Sequence, residues 1–378
     1  MIQKWFSRRR FLQGVAAGSS GAALASLPTP GGGASSATAA QPPFPLTTES
    51  FPWLEPGKAT PLTHLKIVTQ DLIPGPYQER IRSCSSAIEL RMCASGAEFR
   101  REVSDAHVIF GGFSREDFAT ARQLKWIQYT AAGVEGILWP ELVESPVVLT
   151  NMQRIYSPTI SETAIGLMLT LTRGLNRYAL QTHERHWGRV EGLTEISGLT
   201  LGVVGLGGIG TDTAYRAHYG FGMRILAVDP KPIPKPAFVA ELHSLDGLMN
   251  MVPQADILLC AAPHTKVSQG MLNESVFRAM KRTAYFINVS RGKVVDQPAL
   301  VRALKEGWIR GAGLDVTNPE PLPPDDPLWT AGNVIITSHT SARSPGSEQR
   351  LRDLFCENVR RYVNGLPLLN VVDKVRGY

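Results

Sequence analysis

The stretch from Gly198 to Gly210 limits what this chain can fold into more than any other. Gly198-Leu199-Thr200-Leu201-Gly202-Val203-Val204 is a short apolar run of the kind buried in a parallel sheet. It passes directly into Gly205-Leu206-Gly207-Gly208-Ile209-Gly210, after which Thr211 to His218 reads as a helix. A second strand, Arg224 to Val228, ends at Asp229. Gly-x-Gly-x-x-Gly alone is weak, because glycine is common and the pattern short. Here it joins a strand to a helix, and an acid closes the next strand about 20 residues on, as a dinucleotide fingerprint requires. Gly205 permits the tight turn, and Gly207 lets backbone approach a pyrophosphate. Gly208 and Ile209 offer the helix's first N–H groups, and Gly210 lets helix and strand pack closely. Asp229 is placed to accept ribose hydroxyls and to repel a 2′-phosphate, which favours NAD over NADP, although Lys231 softens that preference. The competing reading is a glycine-rich structural turn with a surface Asp.

Elsewhere, apolar runs alternate with helical patterns. Strands are expected at Leu65 to Val68, Val108 to Phe110, Trp126 to Tyr129 and Val147 to Thr150, which makes residues 62–150 an α/β domain with a parallel sheet. One long helix is expected over Thr159 to Tyr178, with Pro158 before its first turn, and it could connect two domains. No internal repeat of fixed period is present.

A length of 378 residues with 43% apolar and 19% charged residues suits two globular domains. The net charge of +6 invites a nucleic-acid reading. Lys4, Arg8, Arg9 and Arg10 supply four of those charges, and residues 1–40 hold no acid, so the remainder carries only +2. It has no basic run interleaved with aromatics, which argues against nucleic acid as a partner. Ser7-Arg8-Arg9-Arg10-Phe11-Leu12-Gln13, followed by weakly apolar Val15 to Leu27, resembles a twin-arginine export signal (residues 1–40), too short for a membrane span. A disordered basic arm is the alternative. The signal implies passage through the twin-arginine translocon, cleavage after Ala37-Thr38-Ala39 and a periplasmic location, with residues 41–61 as a Pro-rich linker. Disulfides are permitted there, yet Cys84, Cys93, Cys260 and Cys356 form no CxxC pair and read as packed thiols, a Cys84–Cys93 bridge being the alternative. His183-x-x-His186 lacks a third ligand nearby, so no metal is expected.

Four further segments follow the nucleotide motif: Ala262-Pro263-His264-Thr265, Ile287-Asn288-Val289-Ser290-Arg291-Gly292, Gly311-Ala312-Gly313-Leu314-Asp315-Val316-Thr317-Asn318-Pro319-Glu320-Pro321, and Ile336-Thr337-Ser338-His339. From about Ala131 to Thr340 the chain resembles the D-2-hydroxyacid dehydrogenase family. That resemblance implies two Rossmann-like domains with doubly wound parallel sheets, a flavodoxin-like substrate domain and an NAD-binding Rossmann domain. The first is expected over 62–150 completed by 345–378, the second over 151–344.

Hydride transfer to a 2-oxo acid needs a cation for the carboxylate and developing oxyanion, a proton donor, and a group that tunes the donor. Arg291 fits the first need, because a planar guanidinium can hold both oxygens at once, although an Arg there could also bridge the domains. His339, after the apolar run Val334 to Ile336, is the acid/base, and the resemblance sets Glu320 against its imidazole, favouring the imidazolium. Asp315 is implied to lie on the cofactor side, with a turn or cap role as the alternative. Pro263 and Thr265 are implied cofactor contacts. Ala131-Ala132-Gly133-Val134-Glu135 is similar to the family loop whose N–H groups hold the substrate carboxylate, so Ala132 and Gly133 are substrate-binding candidates; a plain turn uses the same residue types.

Thr340-Ser341-Ala342 departs from the small pair ending in Gly or Ser usual after the catalytic His, and Glu320 argues against a formate dehydrogenase, which carries Gln. The segment from Asp315 to Pro323 is most similar to glyoxylate or hydroxypyruvate reductases. A small 2-oxo or 2-hydroxy acid is thus the expected substrate, and a homodimer the expected assembly. The rival from another class is a non-catalytic NAD-binding redox sensor or corepressor-like module. A nucleotide exported already bound and reoxidised in place is a further variant.

Overall fold

The computed structural model describes residues 63–378; the expected signal and linker lie outside them. Two parallel sheets organise the described chain. The first contains β1 (Leu65–Thr69), β2 (Ile88–Met92), β3 (Val108–Phe110), β4 (Trp126–Gln128) and β5 (Val148–Thr150), ordered β2-β1-β3-β4-β5. The second contains β6 (Thr200–Val204), β7 (Arg224–Val228), β8 (Glu241–His243), β9 (Ile257–Cys260), β10 (Tyr285–Asn288), β11 (Gly311–Leu314) and β12 (Val334–Ile336), ordered β12-β11-β10-β9-β6-β7-β8. Parallel strands need long crossovers, and alternating helices supply them, so the α/β class follows from the pattern. Edge strands β2 and β8 add to those expected from sequence.

The helix expected over Thr159 to Tyr178 is two helices, Ser157–Thr172 and Leu175–Glu184. Gly174 between them is left-handed, with φ of 63°, and so turns the chain. The first of the two packs on the nucleotide helix Gly208–Phe221 and on β10 and β11. Ser161 Oγ donates to the buried Asp212 carboxylate at 2.6 Å and Arg216 Nε donates to it at 3.0 Å, so this buried acid is fully partnered. The nucleotide helix itself is longer than the expected Thr211 to His218 and ends on left-handed Gly222.

Helix Pro345–Val363 returns the chain to the first sheet. Phe355 stacks on Phe110 at 4.0 Å and Tyr362 on Trp126 at 5.4 Å, each aromatic contributing about 1.5–3 kcal/mol by burial. Buried Asn358 donates to Gln128 Oε1 at 2.8 Å and to Leu369 O at 3.1 Å, and accepts from Leu369 N at 2.8 Å. Val372 N then donates to Leu149 O at 2.8 Å, adding the chain's last segment to the edge beside β5. The chain therefore crosses between the sheets twice, after β5 and before Pro345. Among the described residues no helix is long and apolar enough to cross a membrane.

Candidate active site

In the second sheet the strand order reverses about β6, which has β9 on one side and β7 on the other. Loops at the carboxyl ends of strands part there and leave a crevice. Gly205 lies in it with φ of 91°, and a Cβ on it would come within 2.8 Å of Ala262 Cα. A Cβ on Gly210 would strike the Gly205 carbonyl, whereas one on Gly207 would meet nothing within 4 Å. The loop is thus closed against the end of β9 and against itself, and open outward at Gly207, where helix geometry also leaves the first N–H groups of Gly208–Phe221 without acceptors. Asp229 Oδ2 accepts from Leu206 N and Oδ1 from Lys231 N, both at 2.8 Å, so the carboxylate is braced on the glycine loop. Pro263 and Thr265 share a turn beside Ala262, where Ser268 Oγ donates to Pro263 O at 2.6 Å and accepts from Thr265 N at 2.8 Å. This cradle fits a dinucleotide.

Arg291 follows β10, Asp315 follows β11 and His339 follows β12, all at the same edge of three adjacent strands. His339 Nδ1 is 2.7 Å from Glu320 Oε2, while Glu320 Oε1 accepts from Thr317 N at 3.0 Å. The imidazole thus has one nitrogen committed and Nε2 free for a ligand. His339 has φ of 53°, and its N–H donates to Asp315 O at 2.8 Å. Asp315 is 1% exposed, and its carboxylate accepts from Thr337 Oγ1 at 2.5 Å, from the N–H groups of Thr340 and Ser341, and from Ser341 Oγ. All these donors belong to the His339 loop, so Asp315 braces that loop, and Ser341 finds its use there.

The first sheet contributes the loop after β4. Its Glu135 Oε1 accepts from Arg291 Nε at 2.5 Å, and Arg291 Nη1 also donates to Ser290 O at 2.8 Å. Burial alone would raise the Glu135 carboxyl, but the charge and hydrogen bond of Arg291 outweigh it and hold the group below the ordinary carboxylate range. Tyr129 beside it is pushed up, by burial first and by Glu135 second. A Cβ on Gly133 would collide with Arg291 Nη2, so glycine there lets the guanidinium lie against the loop. Among the described residues the N–H groups of Ala132 and Gly133 have no acceptor, while Ala132 O accepts from Asn151 Nδ2 at 2.6 Å. The structure therefore brings Ala132 and Gly133 to Arg291, and Glu320 to His339. Glu135, which sequence reasoning passed over as a functional group, lies at the centre of the first of these clusters; only its place in the loop motif could have flagged it.

The four cysteines are free, and Cys260, hydrogen-bonded to Ser290 Oγ at 3.1 Å, is pushed up to about 11 by burial, which makes it an inert thiol. Among the described residues no cluster of three or more His, Cys, Asp or Glu could hold a metal.

Residues 165–341 match the model of the D-isomer specific 2-hydroxyacid dehydrogenase, NAD binding domain. The chain is 36% identical over 266 residues to a glyoxylate reductase of Korarchaeum cryptofilum, covering 68% of this chain and 79% of that one. Among solved structures, a D-isomer specific 2-hydroxyacid dehydrogenase family protein from Aeromonas salmonicida subsp. salmonicida superposes with a TM-score of 0.72 at 29% identity, over 83% of this chain and 99% of the other. An NADPH-dependent glyoxylate/hydroxypyruvate reductase from Sinorhizobium meliloti, in complex with NADP and sulfate, superposes with a TM-score of 0.71 at 26% identity, over 83% of this chain and all of that one, 100%.

Proposed function

The chain belongs to the D-isomer specific 2-hydroxyacid dehydrogenase family, and on that premise we propose that it transfers a hydride between NAD(H) and a small 2-oxo or 2-hydroxy acid of the glyoxylate or hydroxypyruvate kind. The observation that carries this reading is the pairing of His339 with Glu320 at 2.7 Å, at the same end of the nucleotide sheet as Arg291. The bound dinucleotide supplies or accepts the hydride. Arg291 and the N–H groups of Ala132 and Gly133 grip the substrate carboxylate, and the guanidinium also faces the 2-oxo oxygen. His339 Nε2 gives that oxygen its proton in reduction and takes it back in oxidation, while Glu320 on Nδ1 fixes the orientation of the ring. Substrate enters between the sheets, and its carboxylate must share or displace the Glu135 contact to Arg291.

NAD is proposed over NADP on two grounds. Asp229 leaves no welcome for a 2′-phosphate, and the Lys231 ammonium sits 4.1 Å from the Tyr378 ring centre, turned to an aromatic face. We also propose export by the twin-arginine route to the periplasm with NAD carried along, a substrate domain of residues 62–150 completed by 345–378 against a nucleotide domain of 151–344, and a homodimer. Exposed Leu180 and Trp187, in and after the helix Leu175–Glu184, support an assembly surface there.

The test offers glyoxylate, hydroxypyruvate, pyruvate and phenylpyruvate to the purified chain with NADH or NADPH, and follows the reduced nicotinamide by absorbance. Oxidation of NADH by at least one acid, faster than that of NADPH, is expected. Nucleotide binding without turnover on any of them would move the assignment to a redox sensor.

A further inference from the structure

Arg154 lies where the chain first crosses between the sheets, just ahead of the helix Ser157–Thr172. Its guanidinium has no hydrogen bond or ion pair among the described residues, and no carboxylate compensates its partial burial, which holds it below the ordinary arginine range. Its backbone is left-handed, with φ of 68°, a conformation that a non-glycine residue rarely adopts. That twist lays the side-chain stem on the first residue of the nucleotide helix. A Cβ on Gly208 would fall 2.8 Å from Arg154 Cγ, 3.0 Å from Arg154 Cα and 2.5 Å from Ser157 Oγ. Ser157 Oγ is itself buried without a hydrogen-bond partner and stands at the same helix terminus. Gly208 is thus a glycine because the crossing segment occupies the space of its side chain.

The glycine loop from Gly205 to Gly210 contains no cation of its own. A diphosphate resting on it is met there only by N–H groups, while an unpaired guanidinium is anchored beside it.

We propose that Arg154 is a binding residue for the diphosphate of the dinucleotide, its guanidinium supplying from the crossing segment the positive charge that the loop lacks. A planar guanidinium suits this, since it can give two parallel hydrogen bonds to a phosphate. Lys231 lies within the field of the same guanidinium, on the ribose side of the cradle. Because Arg154 belongs to the crossing and not to the nucleotide sheet, diphosphate binding also fastens one link between the two sheets to the cradle. The inference rests on the dinucleotide reading above but not on the substrate or the direction of reaction.

The test is calorimetric binding of ADP, NADH, NADPH and adenosine to the full chain and to Arg154→Gly and Arg154→Lys. Glycine accepts the left-handed backbone, so Arg154→Gly should melt no lower than the parent. ADP, NADH and NADPH should each bind it about tenfold more weakly, as loss of one charged contact predicts, with adenosine unchanged and Arg154→Lys intermediate. Unchanged ADP affinity in Arg154→Gly would overturn the proposal, as would a loss confined to NADPH, which would put the guanidinium on the 2′-phosphate. A parent chain that binds no ADP would instead overturn the dinucleotide reading beneath it.

Discussion

The two halves of the site are held by different forces. Around the glycine loop, shape does the holding: Gly205 against Ala262, Gly210 against the Gly205 carbonyl, and Gly208 under Arg154 and Ser157. Around Arg291 and His339, charge does it: Glu135 on Arg291, Glu320 on His339, and Asp315 on the loop that carries His339. A cradle built by close approach tolerates salt and acid but no added methyl group at Gly205, Gly208 or Gly210. A pocket built from half-exposed ion pairs tolerates small changes of volume but answers to pH.

The contrast is broken most severely at His339. His339→Ala should lower turnover by roughly 10²–10⁴ while leaving NADH affinity unchanged, and stopped-flow turnover beside direct binding checks both. On the other side, Gly210→Ala should cost on the order of 1–3 kcal/mol in melting experiments and weaken NADH before it touches the substrate, because the methyl must push the loop off its strand. Glu135→Gln tests the charge side more gently. A carboxyl held low by the fold stabilises at neutral pH and gives that up as pH falls through its own lowered titration. The parent should therefore lose about 0.2–1 kcal/mol in acid that the variant does not, and the freed Arg291 should lower KM for 2-oxo acids. The smallest effect is expected from Tyr378→Ala, which releases Lys231 and should raise the NADPH-to-NADH preference about two- to fivefold, read from paired kcat/KM values.

The nucleotide half was largely legible because its information is local. Strand, glycines, helix and acid lie between Gly198 and Asp229, and each names its own conformation. The α/β class was legible for the same reason. β2 was there to be found in the alternation of Ile88, Leu90 and Met92 with Glu89 and Arg91, but an edge strand with one buried residue leaves a faint apolar trace. The break at Gly174 was hidden by apolar periodicity that continues across it, Leu171 and Leu175 being one turn apart. The Glu135–Arg291 pair could not be read at all, since it joins positions 156 apart through packing of two sheets. Asp315 shows the same limit: a carboxylate after a strand has the same sequence whether it faces a cofactor or its own neighbouring loop.

The double crossing between the sheets also sets an order of manufacture. The seven-strand sheet is encoded without interruption from β6 to β12, so it can close as soon as that stretch has been synthesised. The five-strand sheet emerges earlier but waits for Phe355, Asn358, Tyr362 and Val372 before one face and one edge are covered. The sheet encoded first is therefore the last to be finished, and its closure depends on the return of residues 345–378.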